Sequence, residues 1–223
     1  RLTAAGMRPI SNVVDVSNYV MLELNQPNHA YDLDTPGGRG FRIRLARDGE
    51  QLTTLDGEVR TFTSNDLFIC DANDVPIGLG GIMGGLDTEI SDSTTTVALE
   101  MAWFSLVGIG QTVTRTNLRS EASARFERGV DPYGMPLAIA RFVELLTETC
   151  PNLVVHAGAV DARSDELPAE RRSTPVRIGA VNRILGTDLT ADDLPGLLDP
   201  IGFTVSGSGD TRDAVLPSWR LDS

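Results

Sequence analysis

Glu100 is the one charged side chain in the run Val97-Ala-Leu-Glu-Met-Ala-Trp-Phe104, where every other side chain is apolar. If that run is a strand, alternation puts Val97, Leu99, Met101 and Trp103 on one face and Glu100 with Ala98, Ala102 and Phe104 on the other. The pattern leaves two readings open. Glu100 is either a solvated carboxylate on an outer face, or a carboxylate facing a small apolar cavity that must hydrogen-bond something to be tolerated there. His29 is one of only two histidines. It follows Gln26-Pro27-Asn28, which stops a helix and is expected to put His29 on a loop with Asn28 and Asp32 beside it. A single histidine is more often structural than reactive, and His156, in an apolar stretch, keeps that structural reading.

Glycines 78, 80, 81, 84 and 85 crowd one short stretch. A Walker phosphate loop requires Lys before Ser or Thr, and the chain has no Lys. The dinucleotide pattern GxGxxG begun at Gly78 would need glycine where Met83 stands. A backbone bend remains, serving close approach to a ligand or tight packing of two elements, and spacing alone favours packing. No GxSxG, HExxH or CxxC motif occurs, so neither a serine nucleophile elbow nor a metal site is expected. Cys70 and Cys150, at no metal-ligand spacing and among apolar neighbours, read as buried, reduced thiols of a cytosolic protein.

Several elements must position these groups. Ser11 or Asn12 can cap a helix whose apolar positions are Val13, Val14, Val20, Met21 and Leu24. Phe41, Ile43 and Leu45 alternate with Arg42 and Arg44, a strand with one wet face. Asp56-Gly57 predicts a type I′ hairpin within Leu52–Thr63. Leu67–Cys70 and Val75–Leu79 read as strands about an Asn73-Asp74 turn. Asp131 as N-cap with Pro132 at the first position predicts a helix to about Thr149. Without a regular βαβ rhythm, the expected class is α+β with a mixed or antiparallel sheet.

The chain has 223 residues, 41% of them hydrophobic, enough for one good core and a smaller second one. Residues 1–160 are expected to form the main domain and 161–175, polar with Pro168 and Arg171-Arg172, a linker. Residues 176–223 read as a small second domain: a helix from Val176 to Leu185, another from Thr190 to near Gly202, and a hairpin of Phe203–Val205 with Ala214–Leu216. The missing initiator Met and an ending in mid-pattern at Trp219–Ser223 are expected of a piece of a longer polypeptide. No apolar run approaches the roughly 20 residues of a membrane span, so no membrane partner is expected. The net charge is −12, and the linear pattern holds no basic face of the kind that grips a nucleic acid backbone.

Five blocks carry a resemblance when taken in order. They are Arg8-Pro-Ile-Ser-Asn-Val-Val-Asp-Val-Ser-Asn-Tyr-Val-Met-Leu-Glu23, Gln26-Pro-Asn-His-Ala-Tyr-Asp32, Gly80-Gly-Ile-Met-Gly-Gly85, Leu99-Glu-Met-Ala-Trp-Phe104 and Ser120-Glu-Ala-Ser-Ala-Arg-Phe-Glu-Arg-Gly-Val-Asp-Pro132. Over about residues 1–160 the chain resembles the B3/B4 editing module of bacterial phenylalanyl-tRNA synthetase β subunits. From about Arg171 onward it is similar to the start of their B5 domain.

The resemblance implies hydrolysis of mischarged Tyr-tRNA(Phe) by water, without a metal. It implies that Glu100 accepts a hydrogen bond from the tyrosine hydroxyl, and that His29 helps place the attacking water or the ester. Ser17 and Asn18 match a Thr-Asn pair lining the pocket, although a polar helix face is the better reading of those two residues by themselves. Gly81 and Gly84 match pocket walls, Ser120 and Ala122 match a Thr and an Ala near the terminal adenosine, and Arg8 and Pro27 match further pocket positions. The cluster of Arg125, Glu127, Arg128 and Asp131 reads first as a structural network. Implied partners are the tRNA(Phe) acceptor end and the α subunit of a cytoplasmic α2β2 enzyme. ATP and Mg2+ serve ligation in the whole enzyme, and no cofactor is expected in this stretch.

The implied chemistry has a physical logic. A pocket shaped for phenylalanine cannot strongly exclude an analogue that merely adds a hydroxyl, whereas a second site that requires the hydroxyl can. An aminoacyl ester is already activated, so positioning water against it can suffice. The alternatives are a non-catalytic module that binds tRNA or the partner subunit, and a general small-molecule binding domain. A decayed module should have lost one of His29, Glu100 and Asn18, and all three are present.

Overall fold

The computed structural model describes residues 1–221 and separates the chain into two compact units. The first comprises Arg1–Val130 with Gly134–Asp161, and the second Asp131–Tyr133 with the chain from Ala162 onward. Of the expected unfinished ending at Trp219–Ser223, the last two residues lie outside the described residues. Both units mix helices with antiparallel sheets, so the class is α+β. Among the described residues no helix is long and apolar enough to cross a membrane.

The first unit opens on α1 (Asn12–Leu24), capped by Ser11, whose Oγ accepts from the Val14 N–H. It ends at Asn25, a residue type that tolerates the left-handed conformation found there (φ 55°). Pro27 then holds the chain extended, and β1 (Asn28–Asp32) begins at once. His29 therefore lies in a strand and not on a loop. The partner of β1 is far downstream, which is why local signals miss the pairing.

A four-stranded sheet follows from β2 (Phe41–Leu45), a small hairpin of β3 (Gln51–Thr53) and β4 (Val59–Thr61), then β5 (Leu67–Asp71), β6 (Pro76–Leu79) and β7 (Met83–Gly84). The sheet order is β2-β5-β6-β7, antiparallel throughout, with a register irregularity at Ile69/Cys70. β8 (Val97–Met101) pairs with β1 as a separate two-stranded ribbon. Two helices with no counterpart in the sequence reading come next, α2 (Leu106–Thr116) and α3 (Glu121–Phe126), and α4 (Met135–Thr149) closes the unit.

Three local expectations are corrected. The apolar side of β2 is its wet side: Phe41, Ile43 and Leu45 are 42–58% exposed. Arg44 instead turns inward, because Glu50 and Asp74 hold its guanidinium at 2.7 and 2.6 Å. The Asp56-Gly57 turn is not type I′, since only Gly57 has positive φ. The bonds Gly57 N–H to Thr54 O and Thr54 N–H to Glu58 O make a three-residue loop closing on a left-handed glycine. The last helix starts at Met135, not Pro132, because the Asp131 carboxylate caps the Tyr133 N–H at 2.9 Å and Pro136 takes the opening turn.

The ribbon β1–β8 is packed on both faces, although its β8 residues remain half-buried. Leu99 and Met101 pack with Val16 and Val20 of α1 and with Ala138, Phe142 and Leu146 of α4. Glu23 and Arg141 join the two helices at 2.7 Å. On the other face, Tyr31 and Ala98 pack against Ile69 and Ile77 of the sheet. A second cluster, including Phe62, Phe68, Leu79, Phe104 and Phe126, anchors the sheet to α2 and α3. The expected alternation along 97–101 is therefore observed, with Glu100 on the sheet-facing side. Cys70 is fully buried, but Cys150 is only half-buried, and both are free.

In the second unit β9 (Ser173–Arg177) replaces the end of the expected linker and the start of the expected helix, which forms only at α5 (Ile178–Leu185). Its partner lies near the end of the chain, so the hairpin expectation becomes a three-stranded sheet. α6 (Leu194–Leu198) is flanked by short 3-10 turns, and β10 (Thr204–Ser206) and β11 (Thr211–Val215) complete the order β10-β11-β9. Ile178, Ala191 and Leu194 form its small core.

Candidate functional site

A small cleft opens between the ribbon, the glycine-rich β6–β7 bend and α3. His29 and Glu100 are direct cross-strand partners and so project to the same face, with Tyr31 two residues along on that face. The Tyr31 hydroxyl donates to Glu100 Oε2 at 2.8 Å. The rings of His29 and Tyr31 meet edge to face, with centroids 4.4 Å apart. The remaining walls, including Ile69, Leu79, Met83, Ala122 and Phe126, are apolar.

Those walls set the electrostatics. Burial pushes the Glu100 carboxyl up to about 7, with the Tyr31 hydrogen bond opposing part of the rise. Burial likewise pushes the His29 imidazole down to about 4, so it is neutral at physiological pH. Tyr31 is held well above the usual phenol range by burial and by the adjacent carboxylate, and it stays a donor.

Two buried polar atoms at the cleft lack a hydrogen-bond partner, Asn28 Oδ1 and His29 Nε2. The Asn28 amide is fixed in orientation because its Nδ2 donates to two carbonyls, Ser17 O at 3.2 Å and Gln26 O at 3.3 Å. Oδ1 is thus a committed acceptor with nothing to accept. Buried polar groups are nearly always satisfied, so two orphans in one cleft mark where a ligand or water is expected.

Of the ten residues singled out in the sequence, Pro27, His29, Gly81, Gly84, Glu100 and Ala122 line the cleft. The glycines act first through packing. A Cβ on Gly84 would lie 2.5 Å from His29 Cε1, and one on Gly81 (φ +69°) 2.8 Å from Ile109 Cδ1. Ser17 stands behind the lining, its Oγ donating to Asn28 O at 3.3 Å. Asn18 is half-buried on α1 and Arg8 is exposed, and neither lines the cleft.

Ser120 is the N-cap of α3. Its Oγ accepts from the Ser123 N–H and donates to Ile82 O at 2.6 Å, which ties α3 to the glycine bend instead of facing the cleft. The charges of Arg125, Glu127 and Arg128 are paired locally, Arg125 with Glu121 at 2.8 Å and Arg128 with Glu127 at 3.2 Å.

The sequence reading missed Tyr31 and Asn28 as lining residues. Tyr31 could have been found from strand alternation, had His29 been placed on a strand. Among the described residues no group of three or more His, Cys, Asp or Glu gathers where it could hold a metal ion.

Comparison with known proteins adds a family context to this geometry. Residues 1–151 match the family described as B3/4 domain. The chain is 41% identical over 222 residues to the phenylalanine–tRNA ligase β subunit of Halalkalibacterium halodurans, covering 100% of this chain. It is 43% identical over 223 residues to that of Anaeromyxobacter dehalogenans, and 42% identical over 221 residues to that of Streptococcus pneumoniae serotype 4, covering 100% and 97% of this chain. It spans 27% of the length of each of these relatives. Among solved structures, an N-terminal fragment of the phenylalanyl-tRNA synthetase β subunit from Pyrococcus horikoshii aligns over 95% of this chain and 61% of its own, at 12% identity and a TM-score of 0.42.

Proposed function

Since the chain belongs to the B3/4 domain family, in the setting of the phenylalanine–tRNA ligase β subunits it matches from end to end, we propose that its cleft hydrolyses the aminoacyl ester of mischarged Tyr-tRNA(Phe). The observation that carries this reading is Glu100: a buried carboxyl in an apolar cleft, directly across the ribbon from a neutral His29 with a free ring nitrogen.

In this reading the aromatic ring of the aminoacyl group enters among the apolar walls and its hydroxyl donates to Glu100. A phenylalanyl group makes no such bond, so the site prefers the ester that the synthetic site fails to reject. The ester end lies toward His29 and Asn28, whose orphan atoms hold the attacking water or the α-amino group. His29 is too weak a base to deprotonate water strongly. Its contribution is to position the water against an ester that is already activated, and solvent completes the proton transfer.

The α subunit, ATP and Mg2+ belong in this reading to ligation by the whole enzyme, and only the acceptor end of tRNA need enter the cleft. With a net charge of −12, this stretch leaves backbone affinity for tRNA to other parts of the protein. Incubation of the full enzyme with preformed Tyr-tRNA(Phe) and Phe-tRNA(Phe) tests the reading. Faster release of tyrosine supports it, and equal stability of the two esters rejects it.

A further inference from the structure

We infer that Tyr31 is a positioning residue for recognition, its hydroxyl holding one oxygen of Glu100 so that the other is aimed as the acceptor for a ligand hydroxyl. This rests on the editing reading above and adds to it the group that prepares the acceptor.

The contacts of Tyr31 form a built arrangement. Its side chain is 2% exposed. Its ring meets His29 edge-on and lies tilted against Phe41, with centroids 5.1 Å apart in the second pair. Its hydroxyl reaches into space left by Gly78, where a Cβ would lie 3.2 Å from the oxygen. When the carboxyl is ionised the Tyr31 hydroxyl is the donor and Glu100 Oε2, at 2.8 Å, the acceptor. No described residue donates to Oε1.

Among the described residues, Tyr31 and His29 on β1 are the only other titratable groups lining the cleft, and the surfaces facing Glu100 from β5, β6, β7 and α3 are apolar. Among the described residues no arginine offsets the burial of this carboxylate, and the Tyr31 hydrogen bond alone opposes it. Without that bond the carboxyl would protonate at a higher pH, and at neutral pH a ligand hydroxyl would meet the neutral acid more often than it does now. Charge-assisted hydrogen bonds are about twice as strong as neutral ones. Tyr31 thus acts through Glu100 and not on the ester.

The test is Tyr31→Phe in the full enzyme, which keeps the ring and removes only the hydroxyl. At neutral pH, tyrosyl ester hydrolysis should fall roughly 3- to 10-fold, and the ratio of tyrosyl to phenylalanyl hydrolysis should fall with it. The tyrosyl loss should shrink as pH rises, because the carboxyl of the variant ionises later. In parallel, isotope-edited infrared spectroscopy of the carboxyl stretch should show Glu100 titrating at higher pH in the variant.

An unchanged pH profile and an unchanged carboxyl titration would overturn the inference, whatever happens to the rate, because loss of packing moves neither. If the parent enzyme shows no preference for the tyrosyl ester, the editing reading fails and the ligand half of the inference fails with it. The infrared titration still decides whether Tyr31 sets the state of Glu100.

Discussion

Glu100 and Tyr31, 69 positions apart in the chain, share a hydrogen bond of 2.8 Å in the lining of the cleft. A phenol is thus already bound to the carboxyl proposed to read a phenol. The consequence for selectivity is specific. An empty site does not leave Glu100 wholly unpaired, so in the proposed reading discrimination would come from the bond gained by tyrosine and not from a penalty on phenylalanine.

Gly84→Ala should displace His29, because the new methyl would lie 2.5 Å from Cε1 and 2.7 Å from Nε2 of its ring. Overpacking of this kind costs roughly 1–3 kcal/mol. Both ester hydrolyses should slow together, with the stability loss read by urea denaturation. Unchanged rates and stability would mean that the His29 ring is not seated against this glycine.

Ser120→Ala should behave as a lost helix cap and not as a lost substrate contact. Its hydroxyl is committed to the Ser123 N–H and to Ile82 O. The cost should be roughly 0.5–2 kcal/mol of stability, with hydrolysis per folded molecule unaltered for both esters. A selective loss of rate at full stability would return Ser120 to the cleft.

How much of this was legible in the sequence depends on where each partner lies. Ser11 capping α1 and the alternation around Glu100 are local patterns, and they read correctly. Local signals put His29 on a loop because Pro27 stops the helix, whereas the strand it occupies exists only through pairing with Val97–Met101. The same blindness to distant pairing hid β9, which needs β11. The wet face of β2 was inverted because Arg44 finds Glu50 and Asp74, an ion-pair network that alternation does not encode. Tyr31 followed the same course: once His29 was placed on a loop, nothing put the tyrosine beside Glu100.

The two titratable groups facing each other in the ribbon should oppose one another in pH-dependent stability. Glu100 is an acid raised from 4.5 to about 7 in the fold, so its contribution is fully present below about 4.5 and is lost as pH rises through about 7. His29 is a base lowered from 6.5 to about 4, so its contribution is fully present above about 6.5 and is lost as pH falls through about 4. Each is worth roughly 3 kcal/mol at full development, and between about pH 4.5 and 6.5 they nearly cancel.

Glu100→Gln should therefore expose a stability that climbs with pH across that window, and His29→Gln one that declines. Asp74, which Arg44 and Arg47 hold down at about 2, titrates below the window. Denaturation of both variants at the two ends of the window checks the signs. Parallel profiles would mean that these groups are solvated.

The most direct measurement is deacylation of preformed Tyr-tRNA(Phe) and Phe-tRNA(Phe) by the full enzyme carrying Glu100→Ala, beside His29→Ala. Loss of a hydrogen bond to a charged acceptor is worth roughly 1.5–3 kcal/mol, or on the order of 10- to 150-fold. Because Glu100 is only partly ionised near neutral pH, the lower part of that range is expected. The account predicts that Glu100→Ala slows tyrosyl ester hydrolysis by that factor and leaves the slow phenylalanyl reaction level, whereas His29→Ala slows both. An equal loss on both esters in the Glu100 variant, with the fold intact by circular dichroism, would contradict it and make Glu100 a support of the fold or the chemistry instead of the reader of the hydroxyl.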